Sequence, residues 1–240
     1  MAEFVAAGHT VPAENGWKWI VQGWNLFKRA PGVWIALMVV FIVISIVLAF
    51  IPVLGSIASF VLTPIFTAGM MIGCRALDEG GELKVEHLFA GFRERFGTLL
   101  SVGLLYLAAV IVIALVAGLV TGVKLFSLMG GGGASDPGAV MSAALSLLLA
   151  LLIMLALMVP VIMAIWFAPA LVVFHEQGAI EALKQSFAGC LKNIVPFLVQ
   201  GVILLVASIV ASIPLGLGWL VLGPVLVASI YTAYRDIYFS

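Results

Sequence analysis

The side chains best suited to chemistry are few and scattered. The histidines are His9, His87 and His175, and the cysteines are Cys74 and Cys190. A metal centre needs three or four such ligands at characteristic short spacings, which these five lack. His87 and His175 each stand near carboxylates, so convergence with Cys74 or Cys190 in three dimensions is the metal reading left open; isolated polar residues on a wetted surface need no such explanation. Ser186 has no G-x-S-x-G setting, and no Ser-His-Asp arrangement can be argued from the spacing. The run Gly130 to Gly133 could cradle a phosphate, but it lacks the Lys-Ser/Thr that follows a P-loop and reads as a linker. The expectation is therefore a protein that is not an enzyme, with no catalytic residue, no metal and no cofactor.

The elements that would hold these residues are membrane helices. Of the 240 residues 64% are hydrophobic and 9% charged, and the mean hydropathy is +1.28. A soluble domain has about 25% charged residues. No Asp, Glu, Lys or Arg falls in 30–74, 96–123, 137–175 or 193–234. About 20 apolar residues cross a hydrocarbon core, so the first and last runs each hold two spans. Runs this long lack barrel alternation, and the spans are helices. No ionisable residue lies deep in a span, which argues against a proton pump and a charged-substrate channel. The zero net charge argues against nucleic acid as a partner. Two cysteines make no disulfide framework, and no cleaved leader is expected, the first span acting as the targeting signal.

In order, residues 1–14 read as a flexible tail. From Asn15 to Arg29, Trp17, Ile20, Val21, Trp24 and Phe27 recur at helical spacing, with Lys18, Gln22, Asn25 and Lys28 on the other side. The pattern predicts an interfacial amphipathic helix, and Trp34 continues its aromatic belt. Spans 1 and 2 cover 32–51 and 56–76 across a minimal turn at Pro52–Gly55. Gly69 and Gly73 would admit a neighbouring helix, and Pro64 should kink span 2. A second interfacial helix is expected before span 3 (98–120), with Val85, Leu88, Phe89, Phe92 and Phe96 on its apolar face. Gly118 and Gly122 form a further close-approach pair, and 121–138 reads as a loop. Span 4 (140–167) contains Pro160. A third interfacial helix, GAIEALKQSFAGCLKNIVP from Gly178 to Pro196, has Ile180, Leu183, Phe187 and Leu191 as its apolar face. Spans 5 and 6 follow (194–213 and 219–234), joined by a turn at Pro214–Gly218, and Pro224 should kink the last.

The fold class is thus all-α and integral to the membrane: one membrane domain of six spans in three hairpins, each preceded by a cytoplasmic interfacial helix (15–76, 83–168 and 178–234). Internal matches make this a repeat. Phe89-Ala90-Gly91 and Phe187-Ala188-Gly189 are 98 residues apart, as are Gly103 and Gly201. Leu62-x-Pro64 matches Leu222-x-Pro224, each proline 11 residues before Arg75 or Arg235. Six spans put ten of the 11 basic residues on one side, with Lys124 alone opposite, so both termini are cytoplasmic by the positive-inside rule.

Basic and aromatic residues on the interfacial helices are candidates for lipid contact: Trp17, Trp24, Lys28, Arg29, Phe89, Phe92, Arg93, Arg95, Lys184, Phe187 and Lys192. The bland reading is that these helices anchor and brace the bundle. The functional expectation is a non-enzymatic structural, lipid-interacting or assembly role, with membrane lipids as partners. Small-residue faces also leave room for a homo-oligomer or another membrane protein. The alternative is a transporter or channel for a small neutral or lipid-like solute, passing helices kinked at Pro64, Pro160 and Pro224.

Phe167-Ala168-Pro169-Ala170-Leu171-Val172-Val173-Phe174, then Ala179-Ile180-Glu181-Ala182-Leu183-Lys184-Gln185-Ser186-Phe187 and Lys192-Asn193, resemble a family of uncharacterised bacterial inner-membrane proteins. More distantly, the chain is similar to the membrane domain fused to some glycerophosphodiester phosphodiesterases. The resemblance implies an inner-membrane bundle. It carries no catalytic role over, because no acidic-rich soluble segment is present to house the phosphodiesterase.

Overall fold

A computed structural model describes residues 3–130 and 137–239. Among them are α1 (Asn15–Arg29), α2 (Pro31–Ala49), α3 (Leu54–Asp78), a 3₁₀ helix (Val85–Phe92), α4 (Phe96–Gly130), α5 (Pro137–Trp166), α6 (Ala168–His175), α7 (Ala179–Lys192), α8 (Ile194–Ser212) and α9 (Trp219–Tyr238). Six helical stretches are long and apolar enough to cross a membrane: α2, α3, α4 over Phe96–Leu119, the α5–α6 stretch over Met141–His175, α8 and α9. The described residues pair as strand only at an isolated bridge, Phe4 with Phe239.

The chain divides into two compact units. One runs to Leu104 and resumes at Met163; the other is Leu105–Ile162. In the second, Leu115, Leu119, Leu145, Leu148 and Leu152 are exposed, as suits side chains solvated by lipid, while Ile113 and Ala150 are buried. The expected loop from Thr121 is instead helical as far as Gly130. Gly131 to Gly133 and Asp136, read as the linker, lie outside the described residues. Among the described residues nothing approaches within 4 Å of a Cβ built on Gly118 or Gly122, and neither makes there the close approach expected of it.

The first unit is built on α3 and α9. Their buried faces include Ile65, Phe66, Met71 and Cys74 on α3, and Ala228, Tyr231, Tyr234 and Tyr238 on α9. Pro64 and Pro224 both lie inside these helices and are buried. At α3 the neighbour admitted by Gly69 is the 3₁₀ helix and not another span. A Cβ on Gly69 would sit 2.3 Å from the His87 carbonyl oxygen and 2.7 Å from that of Leu88.

This close approach accompanies a departure from the expected second amphipathic α-helix. In a 3₁₀ helix residues i and i+3 eclipse, which places Leu88 and Gly91 together on the buried side. Phe89 and Phe92 share another side and are exposed. Arg95, at φ 53°, breaks the segment before α4 begins.

A second departure falls within the motif that carries the family resemblance. The proline ring of Pro169 clashes with the carbonyl four residues earlier, and the helix expected to stop at Phe167 is broken there and resumes as α6. The Ser186 hydroxyl fills the break: it accepts from the Phe167 amide (2.9 Å) and donates to the Met163 carbonyl (2.7 Å). Those are the donor and acceptor of one ordinary helical i→i−4 bond, so a side chain is inserted into the ladder. Phe167 to Val172 are fully buried or nearly so.

The N-terminal stretch is likewise no loose tail over residues 3–13. The Val5 amide donates to the Tyr238 carbonyl and the His9 amide to that of Ile237. Asn193, fully buried, accepts from the Val11 amide and donates to the carbonyls of His9 and Gly189, each at 2.9 Å. Trp34 departs from the expected belt: it is 0% exposed, and its indole nitrogen has no hydrogen-bond partner among the described residues.

Candidate functional site

The helix α1 has two usable faces. Gly16, Trp19, Gly23, Leu26 and Phe27 are buried. The glycines allow backbone contact: Cβ atoms there would lie 2.1 Å from the Pro196 carbonyl oxygen and 2.7 Å from the Ser229 nitrogen. Asp236 fixes the helix, accepting from the Trp19 indole (2.7 Å) and the Asn15 amide (2.8 Å). Most of the face read from periodicity points away from this packing. Trp17 is 55% exposed, Trp24 42%, and Val21, Lys28 and Arg29 are exposed too. Phe27 alone of that face is buried. Sequence reasoning missed the packing face because its signal is two glycines seven residues apart.

The same inversion recurs on α7. Ala182, Ser186, Gly189 and Cys190 face inward, while Ile180 and Leu191 are exposed. Burial pushes the Cys190 thiol up. Phe187 is half-buried and Lys184 exposed. Lys192, expected at the lipid surface, instead donates to the carbonyls of Ala7 (3.1 Å) and Gly8 (2.9 Å) and so holds the N-terminal stretch. Arg29 also has a structural partner, the Leu77 carbonyl at 2.6 Å in the last turn of α3. Phe89 and Phe92 join Phe66 and Phe96 in an aromatic group. Arg93 is exposed, and Arg95 forms an ion pair with Glu176.

The potential metal ligands stay separate. His87 accepts from the Lys84 amide (3.1 Å); burial, with the nearby Lys84 cation, lowers its pKa. His175 shares a 2.6 Å hydrogen bond with the Tyr234 hydroxyl and stacks on Phe4. Cys74 is buried in α3. No group of three or more His, Cys, Asp or Glu suited to a metal occurs among the described residues.

What the fold does assemble is a pair of clefts where α3, α6 and α9 end. Asp78 accepts from the Arg235 guanidinium and from the Tyr231 hydroxyl (3.1 Å). On one side of this group lies a cleft of about 460 Å³ lined by Gln22, Asn25, Arg29, Thr232 and Asp236 among others. On the other lies one of about 540 Å³, lined by Arg75, Glu79, Phe174, His175 and Tyr234. Asp78, Tyr231, Arg235 and Phe239 border both. Arg75 pairs with Glu79 (3.0 Å) and its guanidinium lies 5.1 Å above the Phe174 ring. The sequence signal was the pair of arginines 11 residues beyond matched prolines; it marked a repeat and gave no hint that both would border one cleft.

Pro64 and Pro224 line neither cleft. Pro64 and Pro224 are packed in the core, and Pro160 is exposed.

Comparison with known proteins gives one informative relative, a probable inner membrane protein of Burkholderia thailandensis, 30% identical over 198 residues, which are 80% of this chain and 73% of the relative. No family model matches the chain. No solved structure matches it. None of this bears out the more distant resemblance to the phosphodiesterase membrane domain.

Proposed function

From the premise that this multi-pass chain belongs to the same inner-membrane family as the Burkholderia protein, we propose that it is a non-enzymatic, lipid-interacting protein with a structural or assembly role. In this reading its spans form three hairpins, each led by an interfacial segment: α1, the 3₁₀ helix or α7. The ten basic residues on one side support cytoplasmic termini.

The observation that carries the reading is the outward face of α1. Trp17, Val21 and Trp24 are exposed although the helix is firmly packed through its other side. Only Ala30 separates α1 from the first span, and in this reading the face lies at the bilayer surface. Tryptophan suits that layer, having an apolar ring and a polar N–H. Lys28, one turn on from Trp24, would add about 1 kcal/mol of attraction to an anionic leaflet. A carrier has less support, since Pro64 and Pro224 are packed in the core and both clefts lie at helix ends.

Single-tryptophan variants test the reading by fluorescence quenching with brominated lipids. Trp17 and Trp24 should be quenched strongly and the buried Trp19 weakly. Quenching of Trp17 and Trp24 by aqueous iodide but not by bromolipid would reject it.

A further inference from the structure

Arg75 and Arg235 lie in the last turns of α3 and α9, the two most buried spans. They therefore share the depth at which a span meets the headgroup layer. Both border the 540 Å³ cleft, together with Asp78 and Glu79, so two guanidinium groups face two carboxylates and the formal charge balances. Aromatic rings complete the lining: Phe174, Tyr231, Tyr234 and Phe239.

A headgroup phosphate suits the arginines, which offer planar forks of N–H donors and bind phosphate oxygens bidentately. Each has donors to spare, because Arg75 uses Nε on Glu79 and Arg235 uses one terminal nitrogen on Asp78. The side chains of both are about half exposed. A headgroup that was only anionic would meet the two carboxylates as like charges. A zwitterion avoids this, since its ammonium replaces the guanidinium as partner of the carboxylate, and aromatic faces favour a cation beside them.

Building on the lipid-interacting reading, we propose that this cleft binds the headgroup of a zwitterionic phospholipid, its phosphate on Arg75 and Arg235 and its ammonium on Asp78 and Glu79. The Arg75–Glu79 pair is a surface i,i+4 contact that the fold hardly needs; such pairs contribute only about 0.2–0.5 kcal/mol. It is free to open toward a ligand.

The test is native mass spectrometry of the full chain, released from gentle detergent with equal amounts of phosphatidylethanolamine and phosphatidylglycerol. The wild type should retain the first in preference. Arg75→Gln should weaken that retention about tenfold, and Glu79→Gln should shift the preference toward phosphatidylglycerol. Melting temperatures close to wild type are expected for both variants, whose side chains are half-exposed. Equal retention of the two lipids by the wild type, or unchanged retention by both variants, would overturn the proposal. Soluble glycerophosphoethanolamine should fail to compete at equal concentration; full competition would overturn the lipid as the source of the headgroup. Bromolipid quenching of Trp17 and Trp24, measured on the same variants, separates the two ideas: normal quenching with no headgroup selectivity removes the cleft alone.

Discussion

Two spans of the first unit, α3 and α9, differ from two others, α2 and α8, in a sense opposite to that of a soluble protein. The more buried pair is the less hydrophobic. Of the spanning windows of α3 and α9, 56% and 61% are buried, with mean hydropathies of 1.8 and 1.2; for α2 and α8 the burial is 17% and 22%, with hydropathies of 2.9 and 2.6. Lipid is as apolar as leucine, so a large aliphatic side chain gains little by leaving it. Packing inside a bilayer protein is won by close backbone approach and by hydrogen bonds. The inner spans accordingly carry Gly69, Ser229 and Thr232, and the outer ones carry Val43, Val47, Leu198 and Val202 on exposed faces.

Substitutions should break this contrast unevenly. The largest effect is expected for Gly69→Leu, whose Cβ would meet two backbone carbonyls that have no room to yield; overpacking of this kind destabilises by about 1–3 kcal/mol or more. Gly201→Leu, beside open space, is the control and should leave thermal stability in detergent unchanged. Equal behaviour of the two would dissolve the distinction between inner and outer spans. Next comes Asp236→Ala, which strands the Trp19 indole N–H at a fully buried site. The expected loss is about 1–3 kcal/mol, and a wild-type melting temperature would show that the bond contributes nothing.

Ser186→Ala should be somewhat milder, at about 1–2 kcal/mol, since the Met163 carbonyl and Phe167 amide it separates can partly re-form a helical bond. Glycine at 186 would show whether the hydroxyl or the space matters. The smallest effect concerns pH. His87 has its pKa lowered in the folded state, so folding favours its neutral form. Stability should be full above the unfolded value of about 6.5 and decline as pH falls from there through the folded value. Protonation also removes the acceptor used by the Lys84 amide. His87→Gln should flatten the acid limb of a melting curve measured against pH, and an unchanged slope would assign the limb to other groups.

Much of the fold was legible because long uncharged runs leave no alternative to helices. Both minimal turns, around Pro52 and Pro214, fall where expected, between α2 and α3 and between α8 and α9. The failures share a cause. Hydrophobic periodicity marks the outward side of a helix here, and the structural face is marked by residues that periodicity scores as weak. Gly16 and Gly23 on α1, and Gly189 and Ser186 on α7, are of this kind. Asn193 was visible in the sequence only as part of a motif; its grip on residues 9 and 11 is a contact across more than 180 positions, beyond the reach of local pattern. Pro169 was noted and its consequence missed, because the break in the helix is completed by a serine from another element. For the candidate cleft, spacing supplied the two arginines, and only the packing of α3 beside α9 brought them to one opening.

The seat of α1 also orders events during synthesis. Its partners lie far downstream, the Thr232 hydroxyl reaching the Trp19 carbonyl across 213 residues. At ribosomal rates that interval is about 10–40 s. Throughout it the glycine face of the newborn helix lacks those partners, although α2 follows it directly and the Leu77 carbonyl that Arg29 engages is made early. On the lipid-interacting reading proposed above, the outward-facing rings would first moor this earliest helix at the bilayer surface until the last one arrives to lock it.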